Sequence, residues 1–202
     1  SAASDVYKRQ GVSRTGVTSF FITQDIDTGG ILLQRSTPVS ESDTAGSVYE
    51  RLMEEGAGLM VDTADALATC RLEGIPQSIL TRGDEREAPK LFRQDGRVDW
   101  RKSQREVADF IRGMTPFPGA WTTLNGATIK IKGPRLPESG EHVPEGLDPG
   151  DCKVQGGRFW VGPGAGCLEV VMGQFSGKPF LPVVEILRGY RFPVSSLGTD
   201  GH

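Results

Sequence analysis

Apolar and polar residues alternate along residues 16–23, GVTSFFIT, a run rich in Val, Thr, Phe and Ile that predicts a half-buried strand. A second β-like run, GILLQRSTPV, fills residues 30–39, with Pro38 ending it. Between them lies QDIDTGG, which sets Asp25, Asp27 and the Gly29-Gly30 pair at the mouth of the two strands. The period then changes. Val48, Leu52, Leu59, Ala66 and Leu67 recur at helical spacing, and Gly74 followed by Pro76 stops the run. Ser40 and Asp43 have capping-box spacing, with Asp43 the alternative cap, so this segment predicts one long amphipathic helix. Glu50, Glu54 and Glu55 mark its solvated face.

Residues 77–97 lose periodicity and read as a polar, charged linker. Ser103 and Glu106 frame a second capping box before a short helix that buries Val107, Phe110, Ile111 and Met114. TPFPGAW then turns the chain. Strand-like runs follow at 120–124, 128–132, 152–155, 158–161 and 168–174, with Asn125-Gly126 as a hairpin turn and a small helix near 182–190. Short strands joined by Gly-rich turns suggest a small, partly open barrel such as the OB fold. Trp100 is expected to anchor the linker, and Trp121 to lie in the core.

Composition adds limits rather than an identity. A formal charge of −3 and 37% hydrophobic residues describe an ordinary globular chain, and no apolar run approaches the ~20 residues of a membrane helix. Cys70, Cys152 and Cys167 are odd in number and lack metal-ligand spacing, so they read as reduced, isolated thiols in a cytoplasmic protein. Charge is unevenly spread: residues 90–135 hold ten Lys and Arg against four Asp and Glu, and an acidic stretch follows from Glu138 to Asp151. Such a basic stretch at the start of a small β domain suits a phosphate backbone, although a mixed solvated surface has the same composition. Residues 1–10, SAASDVYKRQ, resemble a translated sequencing adapter and are set aside, so that native sequence is expected from about Gly11.

Three segments carry a resemblance. TGVTSFFITQDIDTGGILLQ resembles the part of methionyl-tRNA formyltransferases that closes the formyl-folate site. APKLFRQDGRVDWRKSQREVADFIRGMTPFPGAWTTLNG resembles that family's linker and the entry to its C-terminal domain, and SGKPFLPVVEILRGYRF is similar to its C-terminal end. The resemblance implies an α/β remnant at residues 11–76, the end of a Rossmann-like catalytic domain with two strands and a long helix. A linker at 77–97 and an OB-like β-barrel that binds tRNA at 98–202 would follow.

It further implies formyl transfer from 10-formyltetrahydrofolate to the amino group of methionyl-initiator tRNA, without a metal, by a cytoplasmic monomer. Asp27 matches the family's catalytic acid, which orients and supports a His and holds a water. Asp25, Ile26, Thr28, Gly29 and Gly30 would border the folate, with Asp25 also serving the turn and the glycines letting backbone approach the pterin. Arg97, Arg101, Lys102, Arg105, Arg112, Lys130, Lys132 and Arg135 are the candidates for tRNA phosphates, Arg112 with acids on its own helix as an alternative partner.

The departures bear on activity. The family's Asn-x-His is absent, and the two histidines, His142 and His202, lie far from the loop in sequence. A lone Asp cannot perform the transfer, so these 202 residues are expected to be inactive by themselves. Phe117 replaces the tryptophan of the family's Asn-Pro-Trp-Pro and is expected to pack in its place. Two other readings remain open: another 10-formyltetrahydrofolate enzyme, either a hydrolase or an aminosugar formyltransferase, and a stand-alone RNA-binding barrel.

Overall fold

The computed structural model describes residues 13–24, 29–69, 72–80 and 90–188. The first alternating run forms β1 (Arg14–Phe20) and the second β2 (Ile31–Pro38), an antiparallel pair in register from Arg14 opposite Pro38 to Ser19 opposite Leu33, with a shift that sets Phe20 opposite Ile31. The expected long helix is α1 (Ala45–Thr69), which packs along both strands. Its cap is neither Ser40 nor Asp43. Thr44 Oγ1 accepts from Ser47 N at 3.1 Å while Ser47 Oγ accepts from Thr44 N at 3.0 Å, a reciprocal box with Ser in place of Glu. Asp43 instead organises the preceding turn, accepting from Ser40 N at 2.8 Å and from Arg51 at 2.5 Å.

One stripe of α1, through Val48, Leu59 and Thr63, is buried. At its centre Ser19 Oγ and Thr63 Oγ1 share a hydrogen bond of 2.9 Å, so the helix–hairpin contact has a satisfied polar pair. A second stripe, Tyr49, Met53, Met60 and Leu67, faces solvent. After the helix the chain returns to β2, where Ile31 and Ile75 exchange backbone bonds of 2.8 and 2.9 Å, and α2 (Gln77–Leu80) follows.

The polar 77–97 stretch therefore holds structure of its own. It ends in a 3₁₀ helix (Arg93–Gly96) docked on the β domain: Trp121 Nε1 donates to Arg93 O at 2.7 Å, and Val98 N to Trp121 O at 3.0 Å. The capping box at Ser103 and Glu106 forms as expected and starts α3 (Gln104–Gly113). This helix buries Val107, Ala108 and Ile111, with Met114 following, and Phe110 sits at the rim.

Strands β3 (Ala120–Leu124), β4 (Ala127–Arg135), β5 (Cys152–Gln155), β6 (Arg158–Val161), β7 (Leu168–Phe175) and β8 (Leu181–Pro182) make one antiparallel sheet. Their order is β3-β4-β7-β6-β5, with β8 also on β7 and α4 (Val183–Arg188) closing the described chain. Asn125 and Gly126, at φ 49° and 78°, form the two-residue turn between β3 and β4.

The core lies under the sheet: Trp100, Ile111, Met114, Ile129, Val161, Leu168 and Val170 are all at most 5% exposed. No pairing among the described residues joins β5 back to β3, so the sheet is open, not a closed barrel. The reason lies at β3, whose outer edge is taken by the incoming linker through the Arg97–Trp121 bridge. The two units meet where the start of α1 rests on the turn before β3, with Gly46 N donating to Thr115 O at 3.0 Å. Pro116 stands where a side chain on Gly46 would go.

Candidate functional site

Asp25, Ile26, Asp27 and Thr28 lie outside the described residues, as do Cys70, His202 and residues 1–10. The loop's far shoulder is described. A Cβ on Gly29 would overlap the Phe21 carbonyl oxygen, and one on Gly30 would stand 2.9 Å from the Gly74 backbone. Both glycines are thus required by backbone packed on backbone, independent of any ligand. Gln77 Nε2 donates to Gly29 O at 2.9 Å, and Phe21 N to Gly30 O at 3.1 Å, which fixes the shoulder to the segment after α1 and to the end of β1. Beside it Ile22 is 95% exposed, an apolar side chain at the mouth of the hairpin.

The eight basic candidates divide by their neighbours. Arg101 forks onto Asp99 at 2.8 and 3.1 Å, Lys102 reaches Glu106 at 4.0 Å, and Arg105 holds Glu41 at 2.5 Å. Arg112 is largely buried and pairs with Asp109 at 3.0 Å, three residues back on its own helix. Arg135 grips Glu141 with two bonds of 2.8 and 2.9 Å and also bonds Glu169. These five are engaged by the chain's own acids, which sequence spacing foretold only for Arg112.

The other three gather on one surface. Trp121, Lys130 and Gln174 stand side by side across β3, β4 and β7, with Lys132 two residues along. The Arg97 guanidinium lies 5.8 Å from the Trp121 ring centroid, and Lys132 Nζ 4.2 Å from that of Phe180. Lys130 and Lys132 form no ion pair among the described residues. Alternating cations and aromatics on an exposed sheet face match the chemistry of phosphate and base contact.

The tryptophans exchange the places expected for them. Trp100 is 5% exposed and donates from Nε1 to the buried Thr122 Oγ1 at 3.1 Å, so it is core. Trp121 is half-buried and lies on the outer face, because it is an odd position of a strand whose even positions, Ala120, Thr122 and Leu124, face inward. Phe117 does not pack as its counterpart was expected to: it is 72% exposed at the tip of the turn. No sequence signal gave that exposure. Arg93, by contrast, was visible in the basic stretch and lines the groove beside Phe117 and Lys130.

The remaining titratable candidates stay apart from this face. Cys152 and Cys167 are buried; burial pushes the Cys152 thiol up to about 12 and raises Cys167. His142 is exposed in the acidic loop. No three His, Cys, Asp or Glu among the described residues cluster as metal ligands, and no described helix is long and apolar enough to cross a membrane.

Comparison with known proteins sets this geometry in a family. Residues 2–64 match the family model "Formyl transferase", and residues 90–191 match "Formyl transferase, C-terminal domain". The chain belongs to the formyl transferase family. Among its relatives, a methionyl-tRNA formyltransferase of Bacteroides fragilis is 35% identical over 187 residues, covering 89% of this chain and 56% of that protein. One from Chlorobium luteolum is 36% identical over 183 residues, covering 90% and 57%. The chain thus spans a little over half the length of the curated relatives it matches.

Among solved structures, HypX from Aquifex aeolicus superposes with a TM-score of 0.68 at 17% identity, over 97% of this chain and 34% of that one. An N-formyltransferase from Helicobacter canadensis gives 0.58 at 19%, over 84% and 60%. At such identities the likeness is one of fold. For this formyl transferase chain, the hairpin and α1 as far as residue 64 fall within the first family match and the cationic sheet face within the C-terminal one.

Proposed function

We propose that this chain is the later part of a methionyl-tRNA formyltransferase, which moves a formyl group from 10-formyltetrahydrofolate to the amino group of methionine on initiator tRNA. The observation that carries the reading is the similarity to enzymes of that name over about nine-tenths of the chain, at 35–36% identity. Two features of the geometry support it: a loop anchored at Gly29 and Gly30 beside the exposed Ile22, and a sheet face whose lysines form no ion pair among the described residues.

In this reading the β domain is an OB-like barrel left open where the linker occupies the edge of β3. The folate derivative supplies the formyl group. Gly29 and Gly30 are closed against the chain's own backbone on the side a Cβ would take, and the folate is bordered by residues 25–30 with Ile22 beside them. Asp27 orients and charges a partner His, which handles the proton lost by the attacking amine. That His and its Asn neighbour are absent from these 202 residues, so the chain alone is inactive. Lys130, Lys132 and Arg97 meet tRNA phosphates, whereas Arg101, Lys102, Arg105, Arg112 and Arg135 mainly hold the fold.

The test is an acceptor assay on the complete protein of the same gene, offered charged initiator tRNA or a nucleotide-linked aminosugar with 10-formyltetrahydrofolate. The expected result is formylation of the tRNA alone, lowered roughly 10²–10⁴-fold by Asp27→Ala. Formylation of the sugar, simple hydrolysis of the folate, or full activity of the variant would each overturn the assignment.

A further inference from the structure

A groove of about 330 Å³ opens at one end of the cationic face, lined by Arg93, Phe117, Lys130, Gln174 and Ser176 among others. Its parts come from separate segments: the 3₁₀ helix, the turn after α3, β4, and the end of β7. Phe117 projects at 72% exposure from a turn flanked by Pro116 and Pro118. Held there, the ring gains no burial against the core.

Lys130 is steered toward it. Its stem runs over Gly119, where Cδ and Nζ lie 3.5 and 3.6 Å from the position a Cβ would take. Neither Lys130 nor Arg93 forms an ion pair among the described residues, in a chain where most neighbouring arginines are paired. Gln174, which also lines the groove, donates its amide to Lys178 O at 2.6 Å and keeps a side-chain carbonyl oxygen as an acceptor.

We propose that this groove binds one unpaired nucleotide of RNA, the base stacking on Phe117 and its phosphate held by Lys130 and Arg93. The inference rests on the reading that the outer face meets RNA, and names the form of RNA that this end of it takes. A projecting aromatic offers little to a duplex, whose bases are already stacked, and much to a single strand. The side-chain oxygens of Gln174 and Ser176 add partners for a ribose hydroxyl.

The experiment measures binding of a fluorescent six-nucleotide single-stranded RNA to the 202-residue chain at low salt, with a duplex RNA of equal length and a free nucleoside monophosphate for comparison. Phe117→Ala is expected to weaken the single strand roughly tenfold, leave the duplex within about twofold, and be rescued by Phe117→Tyr. Lys130→Ala is expected to weaken both RNAs alike and reduce the salt slope by about 1.

Because Phe117 is exposed, thermal melting of the variants should match the parent. Single-strand affinity within about twofold after Phe117→Ala, or an equal loss for the duplex, would overturn the stacking site. A monophosphate binding as tightly as the hexamer would overturn the choice of RNA. If the unaltered chain binds neither RNA, the underlying reading of the face falls as well.

Discussion

Trp100 and Thr122 form a buried hydrogen-bonded pair at the centre of the β domain, 5% and 1% exposed. Deleting one partner strands the other in a dry site, at a cost of about 1–3 kcal/mol. Trp100→Phe is therefore expected to lower stability in urea unfolding by that order, and adding Thr122→Val should recover much of it. A double variant no more stable than the single one would remove the bond from the account.

The thiols make a second residue-scale case. With Cys152 pushed up to about 12 by burial and Cys167 also raised, neither should react with a disulfide reagent at pH 8 until the domain unfolds. Titration of either thiol in the native protein would contradict that. Sequence reading did well where a residue's role is local, as at Asn125-Gly126. It failed at Trp100 and Trp121, whose roles depend on which face of β3 the linker covers.

At the scale of elements, capping was legible for α3 because Ser103 and Glu106 are the standard pair. It was misplaced at α1, by four residues at Ser40 and by one at the alternative Asp43, where Thr44 and Ser47 do the same work with less familiar chemistry. The sheet was legible as a partly open barrel, but not the place where it stays open. Strand lengths and turns were readable, but the partner of each edge depends on long-range packing.

The acidic loop after β4 is tied to the inner strands of the sheet. Glu141 accepts from Arg135, from the Glu138 backbone and from Arg158, while Glu169 bonds Arg135 from β7. The Arg135 hydrogen bonds, joined by that from Glu138, pull the Glu141 carboxyl down to about 2 from 4.5. A depressed carboxylate stabilises the fold above its unfolded value and loses that contribution as pH falls through the folded one. Loosening of the 136–151 loop, read by hydrogen exchange, is therefore expected between about pH 4.5 and 2. Glu141→Gln should make the loop loose already at pH 7 and flatten the profile. An unchanged profile would mean the network does not hold the loop.

For the whole molecule, the long helix was read correctly from its period, yet the period showed one apolar stripe where the structure has two. The exposed stripe of Tyr49, Met53, Met60 and Leu67 is expected to make this chain self-associate in water. Replacing Met53 with Glu and Met60 with Lys should reduce association in light scattering and leave the melting of the β domain unchanged. Equal association after both changes would put the sticky surface elsewhere.

The basic stretch was likewise visible as composition, but only the fold separated arginines held by their own acids from lysines facing outward. That sorting is the centre of the proposal that RNA is met by the β3–β4–β7 face. The most direct measurement is the affinity of this chain for initiator tRNA across a salt series, with and without Lys130→Ala and Lys132→Ala together. The account predicts weak binding, about micromolar or poorer, with a log–log slope of roughly −2 to −4 that the double variant reduces by about 2. Salt-independent binding, or a slope untouched by the two substitutions, would contradict it.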